Sequence, residues 1–218
     1  VRVDETIETA YAFDLKDGID TTKLLDSEGN ALTGVTGVNV DGLGFSLTEG
    51  VASFGEVASM TDEVKLLASV EPKTVIVTAE KGTYTYTNVS IWSLFVNDLA
   101  ELKSMYLYQT TARKGVFKLE ADIELPIIKD TTTWDATWSL GAKSIVDAGF
   151  AGYFDGGNHT IYGISNRTAE CNIFGNISGG TVKNLTLSQG SLASNGETNY
   201  PGTSFDLQGI LARYVSGE

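Results

Sequence analysis

The stretch FDGGNHTI at residues 154–161 gathers an acid, two glycines, an asparagine and the only histidine of the chain. The paired glycines permit backbone angles that are closed to other residues, and the acid and the asparagine can bond to nearby turn amides. Phe154 and Ile161 stand at the two ends, where each can point into a core. We therefore predict that this stretch is a turn between two strands.

A catalytic or metal-binding role for the stretch finds little support elsewhere in the sequence. His159 is alone, and the sequence places no carboxylate or nucleophile beside it that would make it a general base. A calcium loop of the EF-hand type starting at Asp26 fails, because Ala31 occupies the place of the turn glycine and Gly37 that of the bidentate glutamate. We predict no catalytic residue, no metal site and no cofactor.

A related pattern recurs downstream of this turn. FDGGNHTIYGI is followed about 20 residues later by IFGNISGGTVKNLTL, and then by GILARYVSGE. This alignment sets Phe154 against Phe174 and Ile161 against Val182. A period of this size, with short strands and glycine turns and no helix between them, is typical of a parallel β-solenoid, in which each coil stacks on the next.

Two segments precede the repeats. VFKLEADIEL alternates apolar and charged residues over 117–125, which predicts one strand along a wall of the same core. Before it, NDLAELKSMYLY has apolar residues at helical spacing, acids in its first turn and Asn97 as the candidate N-cap. We predict a helix over 97–106 that covers the open end of the solenoid.

The pattern of the sequence changes near residue 92. The earlier part consists of short alternating segments bounded by turn residues, and 74–78 and 83–91 form its clearest hairpin. Several short strands at this spacing predict a small β-sandwich. We therefore predict an all-β chain with a sandwich domain at 1–91 and a solenoid domain at 92–218.

The phrases AGYFDGGNHTIYGI, NIFGNISGGTVKNLTL and GILARYVSG resemble the GLUG-type repeats of bacterial surface proteins, over about residues 93–218. Asn172 departs from the family pattern, which has glycine at the start of the first copy, and so do Ala212 and Arg213 in the third copy. The residues before the repeats resemble the Ig-like modules that precede such solenoids in gut Bacteroidetes. The resemblance implies an Ig-like β-sandwich, then a right-handed parallel β-helix capped by a short α-helix, in an extracellular or cell-surface anchored protein.

Composition limits the partners of the chain. Its net charge is −13 over 218 residues, and the acids are scattered, so its surface repels phosphate backbones and anionic lipids. No apolar run approaches the roughly 18 residues of a membrane span. We predict no nucleic-acid partner and no membrane insertion within this chain. Because the sequence stops inside the repeat-like phrase YVSGE, we expect it to be a piece truncated at the C-terminus.

Trp134 and Trp138, in the polar segment TTTWDATWSLG, are the candidate ligand-binding residues, since tryptophans in such a loop can stack on sugar rings as well as plug a core. Two functional hypotheses follow. The first is a non-catalytic, adhesin-like protein that contacts host or dietary glycans or surface proteins. The second is a carbohydrate-active β-helix enzyme, a polysaccharide lyase or a glycosidase. Such an enzyme needs two or three carboxylates on one face of neighbouring coils. The sequence does not repeat its acids at that spacing, so we favour the non-catalytic protein.

Overall fold

The computed structural model describes residues 2–125, 150–162, 173–188 and 211–216. The fold is mostly β, with one mixed sheet and several small parallel sheets. The chain divides into two compact units. The first comprises Val1–Leu94 and Leu107–Thr111, and the second comprises Phe95–Tyr106 and Ala112–Glu218.

The first unit consists mainly of antiparallel strands. Its strands are β1 (Val3–Ile7), β2 (Tyr11–Asp14), β3 (Ile19–Asp20), β4 (Gly37–Val40), β5 (Leu43–Phe45), β6 (Leu47–Thr48), β7 (Val51–Ala52), β8 (Lys73–Ala79) and β9 (Gly82–Trp92). They form a six-stranded sheet in the order β1-β9-β8-β4-β5, with β2 also paired to β9, and a three-stranded sheet β3-β7-β6. β1 and β2 run parallel to β9, whereas the other pairs are antiparallel.

The predicted hairpin is confirmed, because β8 and β9 pair antiparallel with only Glu80 and Lys81 between them. Both strands alternate buried and more exposed residues, as expected for a sheet with one face on a core. Tyr86 is fully buried at the centre of this core, and its hydroxyl donates to the carbonyl of Leu25 at 2.9 Å. This hydrogen bond satisfies the one polar atom that the tyrosine carries into the interior.

The helices are short. The α-helices are α1 (Asp62–Lys65) and α2 (Leu99–Ser104), and 3₁₀ turns occupy Thr21–Lys23, Val57–Ser59 and Met105–Tyr108. The predicted helix at 97–106 is confirmed, but its N-cap is Asp98 and not Asn97. The Asp98 carboxylate accepts from Glu101 N at 2.8 Å, while Glu101 Oε2 accepts from Asn97 N at 2.8 Å. Glu101 thus stands at the glutamate position of a capping box, but it accepts from Asn97 N, one residue before the cap.

The second unit is built on parallel pairing. Its strands are β10 (Leu94–Val96), whose first residue belongs to the first unit, β11 (Val116–Leu119), β12 (Ile123–Glu124), β13 (Tyr153–Asp155), β14 (Thr160–Tyr162), β15 (Phe174–Ser178), β16 (Thr181–Lys183), β17 (Thr186–Ser188) and β18 (Ala212–Ser216). They form sheet P (β10-β11-β13-β16), sheet Q (β12-β14-β17) and sheet R (β15-β18). All pairs among β11 to β18 in the described segments are parallel.

The register of these sheets differs from the predicted alignment of the repeats. In sheet P, Phe154 lies between Phe117 on β11 and Val182 on β16. Phe174 belongs to sheet R, where it pairs with Ala212. The predicted repeat alignment, which set Phe154 against Phe174 and Ile161 against Val182, is therefore not the strand register, since Ile161 pairs with Leu187. The two phenylalanines instead meet across the interior, with ring centroids 5.4 Å apart.

The segment 117–125 is also not the single strand that was predicted. β11 ends at Leu119 and β12 begins at Ile123, with a turn between them. The alternation of burial nevertheless continues through the turn, because β11 and β12 both face the same core from different sides. A period-2 pattern alone does not distinguish a straight strand from two strands that meet at a corner.

Aromatic side chains fill the core of the second unit. Phe117, Phe150, Phe154 and Phe174 are each at most 1% exposed. Their ring centroids lie 6.2 Å apart for Phe117 and Phe150, 4.8 Å for Phe150 and Phe174, and 5.4 Å for Phe154 and Phe174. These separations fall in the range of favourable ring contacts, so the four side chains form one continuous cluster.

Candidate functional site

FDGGNHTI is the middle member of three stacked turns, which we call corners 1, 2 and 3. Corner 1 (120–122) joins β11 to β12, corner 2 (156–159) joins β13 to β14, and corner 3 (184–185) joins β16 to β17. The prediction that FDGGNHTI is a turn is confirmed. The backbone links corner 2 to corner 3 through Gly156 N to Lys183 O, 2.8 Å, and Asn158 N to Asn184 O, 2.9 Å.

The two glycines of corner 2 are needed because a neighbouring corner lies on each side. A Cβ on Gly157 would stand 2.4 Å from the carbonyl oxygen of Leu119, and Gly157 has φ +58°. A Cβ on Gly156 would stand 2.5 Å from the carbonyl oxygen of Asn184 and from Cα of Leu185. Both distances are shorter than any real Cβ contact, so each glycine permits close approach to a different coil.

Asp155 fastens corner 2 to corner 3. Its Oδ1 accepts from Gly157 N and from Asn184 Nδ2, both at 3.0 Å, and its Oδ2 lies 3.4 Å from Lys183 Nζ. Burial raises the pKa of this carboxyl, but the hydrogen bonds and the lysine outweigh it, so the pKa of Asp155 lies below its ordinary value. Asp155 is therefore ionised at neutral pH and engaged on both oxygens.

Asp122 fastens corner 1 to corner 2 in a similar way. Its Oδ1 accepts from Thr160 N at 2.8 Å and lies 3.3 Å from His159 Nδ1, and its Oδ2 accepts from the Tyr162 hydroxyl at 3.3 Å. The backbone hydrogen bond from Thr160, with smaller help from His159 and Tyr162, lowers the pKa of Asp122. One carboxylate thus binds three groups of the next coil.

The carboxylate of Asp122 beside His159 was not predicted from the sequence. Asp122 and His159 are brought together because β12 and β14 are neighbours, with Ile123 paired to Ile161. Aligning ADIEL with HTIYG would have revealed this proximity. That alignment is hidden when 117–125 is interpreted as one strand.

Asp122 and His159 form a carboxylate–imidazole pair. An imidazole whose Nδ1 faces a carboxylate is oriented so that Nε2 can act as a base. Among the hydrogen bonds of the described segments, none joins His159 to a hydroxyl or thiol that could serve as a nucleophile. Within the same segments, no group of three or more histidine, cysteine, aspartate or glutamate side chains could hold a metal ion. The hydrogen bonds of Asp122 and Asp155 link neighbouring turns.

The candidate ligand-binding residues Trp134 and Trp138 lie outside the described residues. No helix in the part of the chain that the structure describes has the length and apolar content needed to cross a membrane. No protein-family model, no curated protein and no solved structure matches this chain significantly.

Proposed function

We propose that the chain is a non-catalytic, adhesin-like bacterial protein, secreted or anchored at the cell surface, which contacts glycans or surface proteins. Residues 92–218 would form a right-handed parallel β-helix of GLUG type, and residues 1–91 an Ig-like β-sandwich. The observation that carries the proposal is that the carboxylates of Asp122 and Asp155 accept hydrogen bonds from the next coil at the corners. Both carboxylates hold one coil against the next, which is a scaffolding role.

The path of the chain through the second unit supports a β-helix. After Phe150, which bridges to Ile177 of β15, the chain runs through β13 and β14. It then runs through β15, β16 and β17 in sheets R, P and Q in turn. Each of these runs stacks in parallel on the one before it, and connections between parallel strands are almost always right-handed.

The pairing in the first unit supports a sandwich of Ig-like type. β1 and β2 lie beside successive parts of β9, at Gly82 to Tyr86 and at Val89 to Trp92. The first unit also holds a second, smaller sheet, β3-β7-β6, in which Ile19 and Ala52 are buried. Two sheets with one core between them are what a sandwich requires.

The electrostatics of the corners favour scaffolding over catalysis. A glycosidase needs one carboxyl that stays protonated near neutral pH, which requires a raised pKa. The pKa values of Asp122 and Asp155 are both lowered, and hydrogen bonds occupy the oxygens of both. Neither carboxylate is suited to donate a proton to a leaving group.

One observation favours the alternative, a carbohydrate-active β-helix enzyme. Asp122 orients the imidazole of His159, as a carboxylate orients the base in many hydrolases. This alternative predicts turnover that depends on both side chains. The non-catalytic proposal predicts none.

The deciding experiment incubates the chain with pectin, alginate and neutral plant and host glycans, with and without calcium. New reducing ends or unsaturated products, lost in His159→Gln and Asp122→Asn, would establish the enzyme and refute the proposal. The proposal predicts no product, together with retention of the chain on a glycan or surface-protein array. Loss of that retention in a Trp134→Ala, Trp138→Ala double variant would identify the tryptophans as contacts.

A further inference from the structure

The outward side of sheet P carries an ordered row of charged side chains. Lys118 on β11, Asp155 on β13 and Lys183 on β16 are direct neighbours in the strand register. The residues before them in each strand, Phe117, Phe154 and Val182, alternate with them and point to the other side of the sheet, where both phenylalanines are fully buried. Parallel strands lie about 4.8 Å apart, so the row is straight and evenly spaced.

Aromatic rings lie beneath the lysines of this row. Lys118 Nζ stands 5.9 Å from the ring centroid of Phe95 on β10, and Lys183 Nζ stands 5.1 Å from that of Tyr153 on β13. Phe95 and Tyr153 are both partly exposed, unlike the phenylalanines on the inner side. We call Phe95, Lys118, Tyr153, Asp155 and Lys183 the aromatic–lysine face.

The charges of this face are balanced in pairs. Lys183 Nζ lies 3.4 Å from Asp155 Oδ2, and Lys118 Nζ lies 2.6 Å from Glu120 Oε1. Together with Glu120 beside it, the face is therefore locally neutral, although the chain as a whole carries −13. A polyanion gains no net attraction at this face and is repelled by the rest of the acidic surface. A polycation would have to compete with Lys118 and Lys183 for the carboxylates that they already pair with.

We infer that the aromatic–lysine face binds a neutral saccharide chain laid across β10, β11, β13 and β16. This inference rests on the proposed glycan-contacting function and specifies its ligand class. Sugar hydroxyls both donate and accept hydrogen bonds, which matches a face that alternates ammonium donors with carboxylate acceptors. The apolar side of a pyranose ring matches an aromatic ring such as Tyr153, once the lysine above it has moved.

The lysines must move off the rings for a sugar to stack, which also requires Lys118 to leave Glu120 and Lys183 to leave Asp155. The side chains of Lys118 and Lys183 are 38% and 46% exposed. Cation–π contacts at exposed sites are weak. Each ammonium can swing aside, expose the ring and then donate to a sugar hydroxyl.

The test is a titration of the full ¹⁵N-labelled chain with cellohexaose, xylohexaose and mannohexaose, with hexagalacturonate as the anionic comparison. The inference predicts that at least one neutral hexaose shifts the amide signals of Lys118, Tyr153 and Lys183, and that hexagalacturonate does not. Tyr153→Ala should weaken the affinity by about tenfold, the loss expected for one stacked ring. Tyr106→Ala, which removes a ring that is 50% exposed elsewhere in the second unit, should change it less than about twofold.

The outcomes separate this inference from the proposed function. If Tyr153→Ala does not fold, Tyr153→Leu keeps apolar bulk in the strand, removes the ring and should weaken binding by a similar factor. Binding that survives loss of the Tyr153 ring but disappears in the Trp134→Ala, Trp138→Ala variant overturns the inference and leaves the proposed function standing. If neither the hexaoses nor the glycans and surface proteins of an array bind, both are wrong.

Discussion

The two units of this protein hold their strands in place by different means. In the first unit, β8 and β9 are joined by two residues, so local turn geometry fixes their register. In the second unit, β11, β13 and β16 are distant in sequence, and their register is fixed by packing and by corner contacts such as Asp122 to Thr160. The register of the parallel stack therefore depends on its corner residues as well as on its core.

The largest effect should come from removing a ring at the centre of the second unit. Phe154→Ala deletes a side chain that is 0% exposed and contacts Phe174, and such changes cost about 3–5 kcal/mol. This is a large share of the stability of a typical domain. We expect the second unit to lose its amide protection in hydrogen exchange while β8 and β9 of the first unit keep theirs.

Equal loss of protection in both units would contradict this expectation, because it would mean that the two units unfold together. Tyr106→Ala is the matched control in the second unit, since its ring is 50% exposed. It should change the free energy of unfolding by no more than about 0.5 kcal/mol.

The next largest effect should arise at corner 2. Gly157 and Gly179 both have positive φ, at +58° and +72°, but only Gly157 has a neighbour, Leu119 O, within contact distance of an added Cβ. Gly179→Ala should therefore lower the free energy of unfolding only through the strained backbone angle, by about 1–2 kcal/mol. Gly157→Ala should lower the free energy of unfolding by clearly more, because the added Cβ also forces corner 2 away from Leu119. Chemical denaturation of the two variants measures the difference, and equal losses would show that the corners do not pack as described.

Acid should weaken the second unit partly through Asp122. The pKa of this group is lower in the folded chain than the ordinary 3.8, so its contribution is present above that value and is lost as pH falls through the folded pKa. We expect Asp122→Asn to flatten part of the decline in thermal midpoint below pH 4. Comparing the pH profiles of variant and parent chain isolates this group from Asp155, whose pKa is also lowered.

Glu124→Gln is the control for that profile, because Glu124 is an exposed carboxylate on β12, two residues after Asp122. It should leave the acid profile unchanged in shape. If the pH dependence of the thermal midpoint changes equally in both variants, Asp122 does not hold corner 1 to corner 2.

The smallest effect should come from the hydrogen bonds between residues 107–111 and helix α1 within the first unit. Asp62 accepts from both the amide and the hydroxyl of Thr111, and Lys65 Nζ donates to the carbonyl of Gln109 at 3.0 Å. Thr111→Val keeps the shape and the amide bond but removes the hydroxyl. We expect a small decrease in the thermal midpoint of the first unit, whereas Thr48→Val, an exposed position on β6, should not change it.

Local features were predictable from the sequence, and non-local register was not. The β8–β9 hairpin, the helix near residue 99 and the turn at FDGGNHTI each depend on a few adjacent residues whose propensities agree. The register of Phe154 depends instead on which distant strand lies beside it. Phenylalanines recur at Phe154 and Phe174, and this similarity led to an alignment that the pairing with Val182 contradicts.

A better signal for the register was present but easily overlooked. Gly115, Gly152 and Gly180 each stand immediately before β11, β13 and β16, and Gly152 approaches Gly115 so closely that a Cβ would lie 2.1 Å from its carbonyl oxygen. The three strands therefore share a start of the form glycine, any residue, apolar residue, charged residue. The Asp122 and His159 contact follows from that alignment, and the contacts of the aromatic–lysine face require the structure.

The most direct test of the account is a measurement of backbone proximity across sheet P in solution. Nuclear Overhauser contacts between amide and α protons should join β13 to β11 around Phe117 and Phe154, and β13 to β16 around Phe154 and Val182. The ring of Phe174 should contact that of Phe154, while its backbone should not. Backbone contacts between Phe154 and Phe174 as strand partners, with none to Val182, would contradict the stack of three corners on which the account depends.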